Sequence, residues 1–390
     1  MKTMSSPELP VTRKVLRWAR EVSGFSVEEV ATKLEQVSKR ITAETVESWE
    51  DEDGEALPRL TALRKLAQLY KRPMAVFFLN EPPWETPPPK NFRLLAMGEA
   101  RPLSPDMILA VRSARRLHEL AEEVSDELGY DLRAELPQVD VSSKPAELAA
   151  KERQRLGASF EEQFKFQDAY KALWYWRDLV ESAGCFVFQL PFPVEDARAF
   201  SEYFDEGPFV VLSTKDEPVG RIFSLFHEYA HLLLRIGGIC PDFTGNYIRS
   251  FEGRVERFCN AFAAHFLVPT AELDAAAQRL PEPKSEAGLV SLSYRFSVSK
   301  HVILLRFLDL GWVDEGFYRQ KKREWAQKKP PKKGARGPSQ DVKSVSQRGR
   351  RFVSLIIEAA DRGLIAPPMV HEGLGVRTTY LTDIRAQLTA

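Results

Sequence analysis

The chemistry of this sequence concentrates in His227-Glu228-Tyr229-Ala230-His231, set within the apolar run Phe223–Leu234. Apolar residues at this spacing predict a helix, and two histidines at i and i+4 then share one of its faces. From such a face both imidazoles reach a single Zn²⁺. Glu228 stands beside that ion, placed to take a proton from a water held there. The plainer reading is two ordinary histidines half buried on an amphipathic helix. The chain has only six histidines, so a chance match to this pattern is rare.

A zinc ion that does chemistry needs a third protein ligand and an open position. The histidine-bearing helix is expected to stop at Gly237-Gly238 with a left-handed turn. A second helix is expected from Phe251 to Leu267, stopped by Pro269. Its Val255, Phe258, Phe262 and Phe266 recur three and four apart and pack on a core. Glu256 and Asn260 share a face. Glu256 would complete a His₂Glu site, and Asn260 is placed to hydrogen-bond the outer nitrogen of a ligating histidine. Glu252, one turn earlier, is the competing carboxylate. His265 lies about 180° round the helix from Glu256 and reads as surface or core. A thiolate from Cys240 or Cys259 in the open position would silence the site. As apolar filler the same cysteines need no function.

The two segments together, His227–His231 and Glu256-Arg257-Phe258-Cys259-Asn260-Ala261-Phe262-Ala263-Ala264-His265-Phe266-Leu267-Val268-Pro269, resemble the ImmA/IrrE metallopeptidases. The second helix of that family typically reads E-x-x-A-N-x-F-A-x-x-L-L-M-P; here Cys259 replaces the alanine and Phe266-Leu267-Val268-Pro269 closes the motif. The likeness extends through Asn91-Phe92-Arg93 and Gly207–Leu212, over most of residues 10–310. The resemblance implies that His227, His231 and Glu256 bind zinc and that Glu228 is the general base. It also implies a narrow substrate: a partner helix-turn-helix repressor, cut to release phage, mobile-element, defence or DNA-damage genes, with a DNA signal as a candidate activator. The rival reading is an Xre-type transcriptional regulator, or a toxin–antitoxin component, using the zinc fold as a scaffold without proteolysis.

With 390 residues, 44% hydrophobic and 28% charged, the chain reads as a globular protein of two or three domains. A formal net charge of zero provides no global field towards nucleic acid. Three cysteines (Cys185, Cys240, Cys259) without a C-x-x-C argue against a disulfide scaffold or a zinc finger. No signal core opens the chain and no long apolar run follows, so the expected location is cytoplasmic with no membrane partner.

The expected architecture is α+β and mostly helical, in five stretches. Residues 1–81 form a bundle with helices over 13–22, 27–34, 42–49 and 60–70, which resembles the Xre-type helix-turn-helix. Its 42–49 helix would read DNA, yet the segment from Ile41 to Pro58 has no Lys or Arg and carries Glu44, Glu47, Glu50, Asp51, Glu52, Asp53 and Glu55. Phosphates repel such a surface, so a protein-docking or structural role is favoured. Residues 82–135 hold the stiff Pro82-Pro83 and Pro87-Pro88-Pro89 connector and a long helix capped by Ser104, begun at Pro105 and stopped by Gly129. Its Arg112, Arg115 and Arg116 read as a solvated face. Residues 136–318 form the zincin-like body, with helices 146–156 and 161–182, strands 185–190 and 209–212, and the two site helices. One of these strands, or a neighbour, would pair with an extended substrate. Residues 319–349 read as a basic, mobile linker; 319–351 carries 13 Lys or Arg against Glu324 and Asp341. Either it is a solubilising tether or it contacts DNA, with Trp325 offering base stacking. Residues 350–390 form a three-helix module in which Arg348, Arg350, Arg351, Arg377 and Arg385 make the better DNA candidate.

Overall fold

Four short strands and two long helices place every residue of the predicted site. The computed structural model describes residues 11–35, 40–84, 103–236, 238–240, 251–326 and 339–389. The chain divides into two units, one of residues 1–88 and 101–113, the other of 89–100 and 114–390.

In the first unit, helices Arg13–Glu21, Val27–Leu34, Ala43–Glu50 and Leu60–Leu69 surround a core of Val15, Leu16, Val30, Leu34, Val46, Trp49, Leu63, Leu66 and Phe77. Two capping boxes, Ser26 with Glu29 and Thr42 with Thr45, begin the second and third helices. The basic residues of the first helix turn inward. Arg20 forks onto buried Glu50 at 2.9 and 2.8 Å, Arg17 donates to the Glu50 carbonyl, and Arg13 donates to the carbonyls of Ser48 and Ala56. These three arginines bond within the 48–56 stretch, and Arg20 neutralises Glu50 there. Arg112 is also engaged, donating to the Tyr70 carbonyl at 2.8 Å rather than forming the expected solvated face.

The second unit is built on a mixed sheet of order β1-β3-β2-β4: β1 Phe186–Leu190, β3 Phe209–Ser213, β2 Ala199–Glu202 and β4 Gly238–Cys240. β1 runs parallel to β3, whereas β2 is antiparallel to both β3 and β4. The first three strands are buried throughout, as expected of a sheet covered on both faces. On one face Val187, Ala199, Val210 and Leu212 join a core with the histidine helix, Pro218–Leu233, and the carboxylate helix, Phe251–Leu267. On the other, Phe186 and Phe188 meet Phe352 edge-on at 6.1 and 5.5 Å.

The expected pair of strands is present, and β2 and β4 join them. The expected helix 161–182 is broken: Phe160–Gln163 is a single turn, and Asp168 caps a new helix over Ala169–Ser182 by accepting from the Tyr170 amide at 2.8 Å. The long helix Pro105–Leu128 lies where predicted, with Ser104 accepting from the Met107 amide and Gly129 at φ +71°. Its Arg115 is ion-paired with largely buried Glu202 at 2.9 Å rather than solvated, whereas Arg116, paired with Glu372 at 2.6 Å, keeps an exposed side chain as expected.

The stretch read as a mobile linker contains ordered helix at both ends. Glu315–Ala326 buries Trp325, whose indole N–H donates to Glu286, so base stacking by that ring is excluded. Helix Gln340–Arg348 packs beside β1, and helices Arg350–Asp361, Pro367–Leu374 and Leu381–Thr389 follow it. Residues 327–338, the connector 85–102 and the Asn91-Phe92-Arg93 motif lie outside the described residues. Among the described residues no helix is long and apolar enough to cross a membrane.

Candidate metal centre

The histidine helix begins with Pro218 at its first turn, where the missing N–H costs nothing. It is buried from Ser224 to Leu233 without interruption, so it runs through the middle of its unit rather than lying on the surface. Three contacts fix it. Phe226 stacks on Phe266 of the carboxylate helix at 4.0 Å, and Trp176 meets both rings edge-on. Tyr229, on the side away from the site, donates to buried Glu152 at 2.7 Å. Arg221, nearer the N-terminus, donates to Gln189 of β1 and to the Asp216 carbonyl.

The helix ends earlier than expected. Its left-handed residue is Arg235 (φ +57°), not a glycine, and Gly238 opens β4 instead; Gly237 lies outside the described residues. A non-glycine in this region is strained and persists only where its surroundings fix it. Here the Ile236 amide bonds the His231 carbonyl and Arg235 donates to the Leu136 carbonyl, which holds the turn.

His227, His231 and Glu256 converge. The two Nε2 atoms are 3.3 Å apart, Nε2 of His227 is 3.4 Å from Oε2 of Glu256, and Nε2 of His231 is 3.4 Å from Oε1. All three residues are buried, and they form the one His/Cys/Asp/Glu cluster fit for a metal among the described residues. Bond lengths of about 2.0–2.2 Å in a tetrahedral ion imply ligand–ligand edges of roughly 3.3–3.5 Å, so the triangle already has the size a four-coordinate ion requires. The outer nitrogen of His227 is also fixed: Nδ1 lies 3.2 Å from Oδ1 of Asn260, which leaves Nε2 facing inward with its lone pair.

Electrostatics agree with the geometry. Burial would raise the Glu256 carboxyl, but hydrogen bonds and charge from both histidines outweigh it and hold the group far below the usual carboxylate range. Burial would lower His227, and the Glu256 hydrogen bond and charge reverse that, leaving it raised. The carboxylate attracts positive charge into this pocket, as a divalent ion would supply. Glu228 behaves differently: burial raises it, against the opposing pull of His231, His227 and Ser201. Its Oε2 accepts from Ser201 Oγ at 2.7 Å, while Oε1 is buried with no hydrogen-bond partner among the described residues.

Residues 180–308 match the family model Peptidase_M78, described as the IrrE N-terminal-like domain. This stretch, about a third of the chain, is similar to that peptidase domain. No curated protein matches it. The IrrE-like domain takes in all four strands and both site helices; the likeness read over residues 10–310 therefore rests on its C-terminal part.

Other candidates fall away from the cluster. His265 faces Asp309 and Arg306 on the far side of the carboxylate helix, as its angular position required. Cys259 is buried in the apolar core with its thiol raised by burial, and it is not among the clustered donors. Cys185 is likewise buried, its thiol pushed up to about 12 by burial. The side chains of Glu252 and Cys240 lie outside the described residues. Ser201 was not visible in the sequence: it sits on β2, a strand of four residues without alternation, 27 positions before the group it bonds.

Proposed function

We propose that this protein is a zinc endopeptidase in which His227, His231 and Glu256 hold the metal and Glu228 is the general base. The observation that supports this most strongly is the closed triangle of donors beside a buried carboxylate with one unpartnered oxygen. Two imidazoles and one carboxylate are a donor set that favours Zn²⁺ and leaves a position open. The chemistry a bound ion would supply is polarisation of the scissile carbonyl and acidification of water. Glu228 takes a proton from the attacking water on Oε1 as the water oxygen bonds the peptide carbon. The C–N bond then breaks, and Glu228 returns that proton to the leaving amine. Asn260 keeps the His227 ring in the orientation that presents Nε2.

An extended substrate would pair with the outer edge of β4. β3 is interior to the sheet, and the outer side of β1 faces helix Gln340–Arg348, where Gln189 and Arg177 both donate to the Ser346 carbonyl at 2.7 Å. β4 follows the histidine helix directly and pairs with the strand that carries Ser201. Main-chain pairing at a sheet edge holds a peptide straight while leaving its side chains to be read.

The substrate proposed is a helix-turn-helix repressor, whose cleavage releases its genes in the cytoplasm, with DNA as a candidate activating partner. The rival, a non-proteolytic Xre-type regulator or toxin–antitoxin component, needs a DNA-reading or partner-holding face instead. The helix that would read DNA in an Xre-type fold, over 43–50, carries no Lys or Arg. Co-expression with the protein encoded by the neighbouring gene, if its sequence reads as a helix-turn-helix repressor, separates the two. Wild type is expected to yield two fragments by mass spectrometry and Glu228→Gln none; an intact partner with wild type, or equal cutting by both, contradicts the proposal.

A further inference from the structure

We infer that Ser201 is the positioning residue of Glu228, an assignment that rests on the peptidase reading and deepens it. Ser201 lies in β2, fully buried, opposite Val210 of β3 and Gly238 of β4. Side chains alternate along a strand, so Ser201 shares with Ala199 the sheet face turned towards the histidine helix. That wall is otherwise Val187, Ala199, Val210 and Leu212. A hydroxyl buried in an apolar wall is costly unless it is bonded, and alanine would close the same space without that cost.

The bond it makes is specific. Ser201 Oγ donates to Oε2 of Glu228 at 2.7 Å, a length typical of a hydroxyl on a carboxylate. A carboxylate is planar, so holding one oxygen fixes the direction of the other. Oε1, the oxygen left over, is buried and unpartnered among the described residues, with its lone pairs available for a proton. A general base must be held within hydrogen-bond reach of the water it deprotonates, and a small misplacement is costly in rate. Ser201 therefore acts through Glu228. The rigid platform is the sheet itself: β2 is bonded on both sides, to β3 and to β4.

Two readouts test this and separate its failure from that of the peptidase reading. The first needs no metal and no substrate. In metal-free protein, Ser201→Ala is expected to lower Tm by about 2–4 °C with Glu228 present, and by much less in a Glu228→Ala background. Equal losses in both backgrounds overturn the contact. The second uses a proteome-derived peptide pool, with kcat and KM then measured on the peptide cut fastest. Ser201→Ala is expected to lower kcat about tenfold with KM and zinc content unchanged, and Ser201→Thr, which keeps the hydroxyl, to restore most of it. An unchanged kcat in Ser201→Ala beside an inactive Glu228→Gln overturns the assignment and leaves the peptidase standing. Equal cutting by wild type and Glu228→Gln removes the peptidase reading and, with it, the role given to Ser201. If wild type cuts nothing in the pool, the metal-free cycle decides.

Discussion

At the scale of single residues, Asn260 makes one hydrogen bond with a large expected effect. It holds the outer nitrogen of His227 and so fixes which nitrogen faces His231 and Glu256. Asn260→Ala is expected to weaken zinc binding by roughly 10–100-fold, measured by competition with a chromophoric chelator, while Asn260→Asp retains most of it. Unchanged affinity in the alanine variant would show that the ring is held by packing alone. The clustered residues His227, His231 and Glu256 were legible because helical geometry converts spacing into direction. Positions i and i+4 on one helix, and Glu256 with Asn260 on the next, need no tertiary information to be placed on faces. Ser201 was not legible, because the contact that gives it meaning crosses from a strand to a helix and leaves no periodic trace.

At the scale of elements, the same distinction holds. Helices Val27–Leu34, Pro105–Leu128 and Phe251–Leu267 follow from apolar spacing, caps and proline stops. β2 and β4 are four and three residues long, too short for a periodic signal, and are made by their neighbours. The junction between helices Gln340–Arg348 and Arg350–Asp361 was also hidden within basic composition. Gly349 sits there at φ +83°, and a Cβ on it would lie 2.0 Å from Glu181 Oε1, so only glycine fits. Glu181, on helix Ala169–Ser182, accepts from the Arg351 amide at 3.0 Å and so caps the next helix from outside. Burial pushes Glu181 up to about 7, against the pull of Arg177, the Arg351 amide and Arg350, with Asp178 adding to the rise. A carboxyl raised on folding contributes stability that is complete below its unfolded value and is lost as pH rises through the folded one. Between about pH 4.5 and 7 this group is expected to cost roughly 3 kcal/mol of stability. Thermal unfolding of Glu181→Gln at pH 5 and pH 8 should show a smaller fall than wild type; parallel profiles would show that Glu181 stays ionised when folded.

At the scale of the molecule, net charge says little about the basic C-terminal module, because most of its arginines make specific contacts. Arg348 donates to the Gly373 carbonyl, Arg350 to those of Gln387 and Leu388, Arg351 lies over Phe186 at 5.3 Å, and Arg385 pairs with Asp361. Arg348 and Arg350 thus bond within the module and Arg351 packs on β1, whereas Arg377 and the Asp361-paired Arg385 side chain stay exposed. If DNA is the activating signal, the basic stretch over 319–336 remains a candidate, and within it the lysines at 328, 329, 332 and 333. Replacing these four with alanine is expected to weaken DNA binding and lower its salt dependence without changing Tm, whereas Arg348→Ala is expected to lower Tm. DNA affinity that survives the lysine changes would remove the linker from the account. The central claim is narrower: one divalent ion, held by residues from two helices packed through Phe226 and Phe266. Metal analysis of the purified chain by mass spectrometry tests it most directly. The account predicts one zinc per chain in wild type and in Glu228→Gln, and almost none in His227→Ala or Glu256→Ala; stoichiometric zinc in Glu256→Ala, or a metal-free wild type that takes up no added zinc, would contradict it.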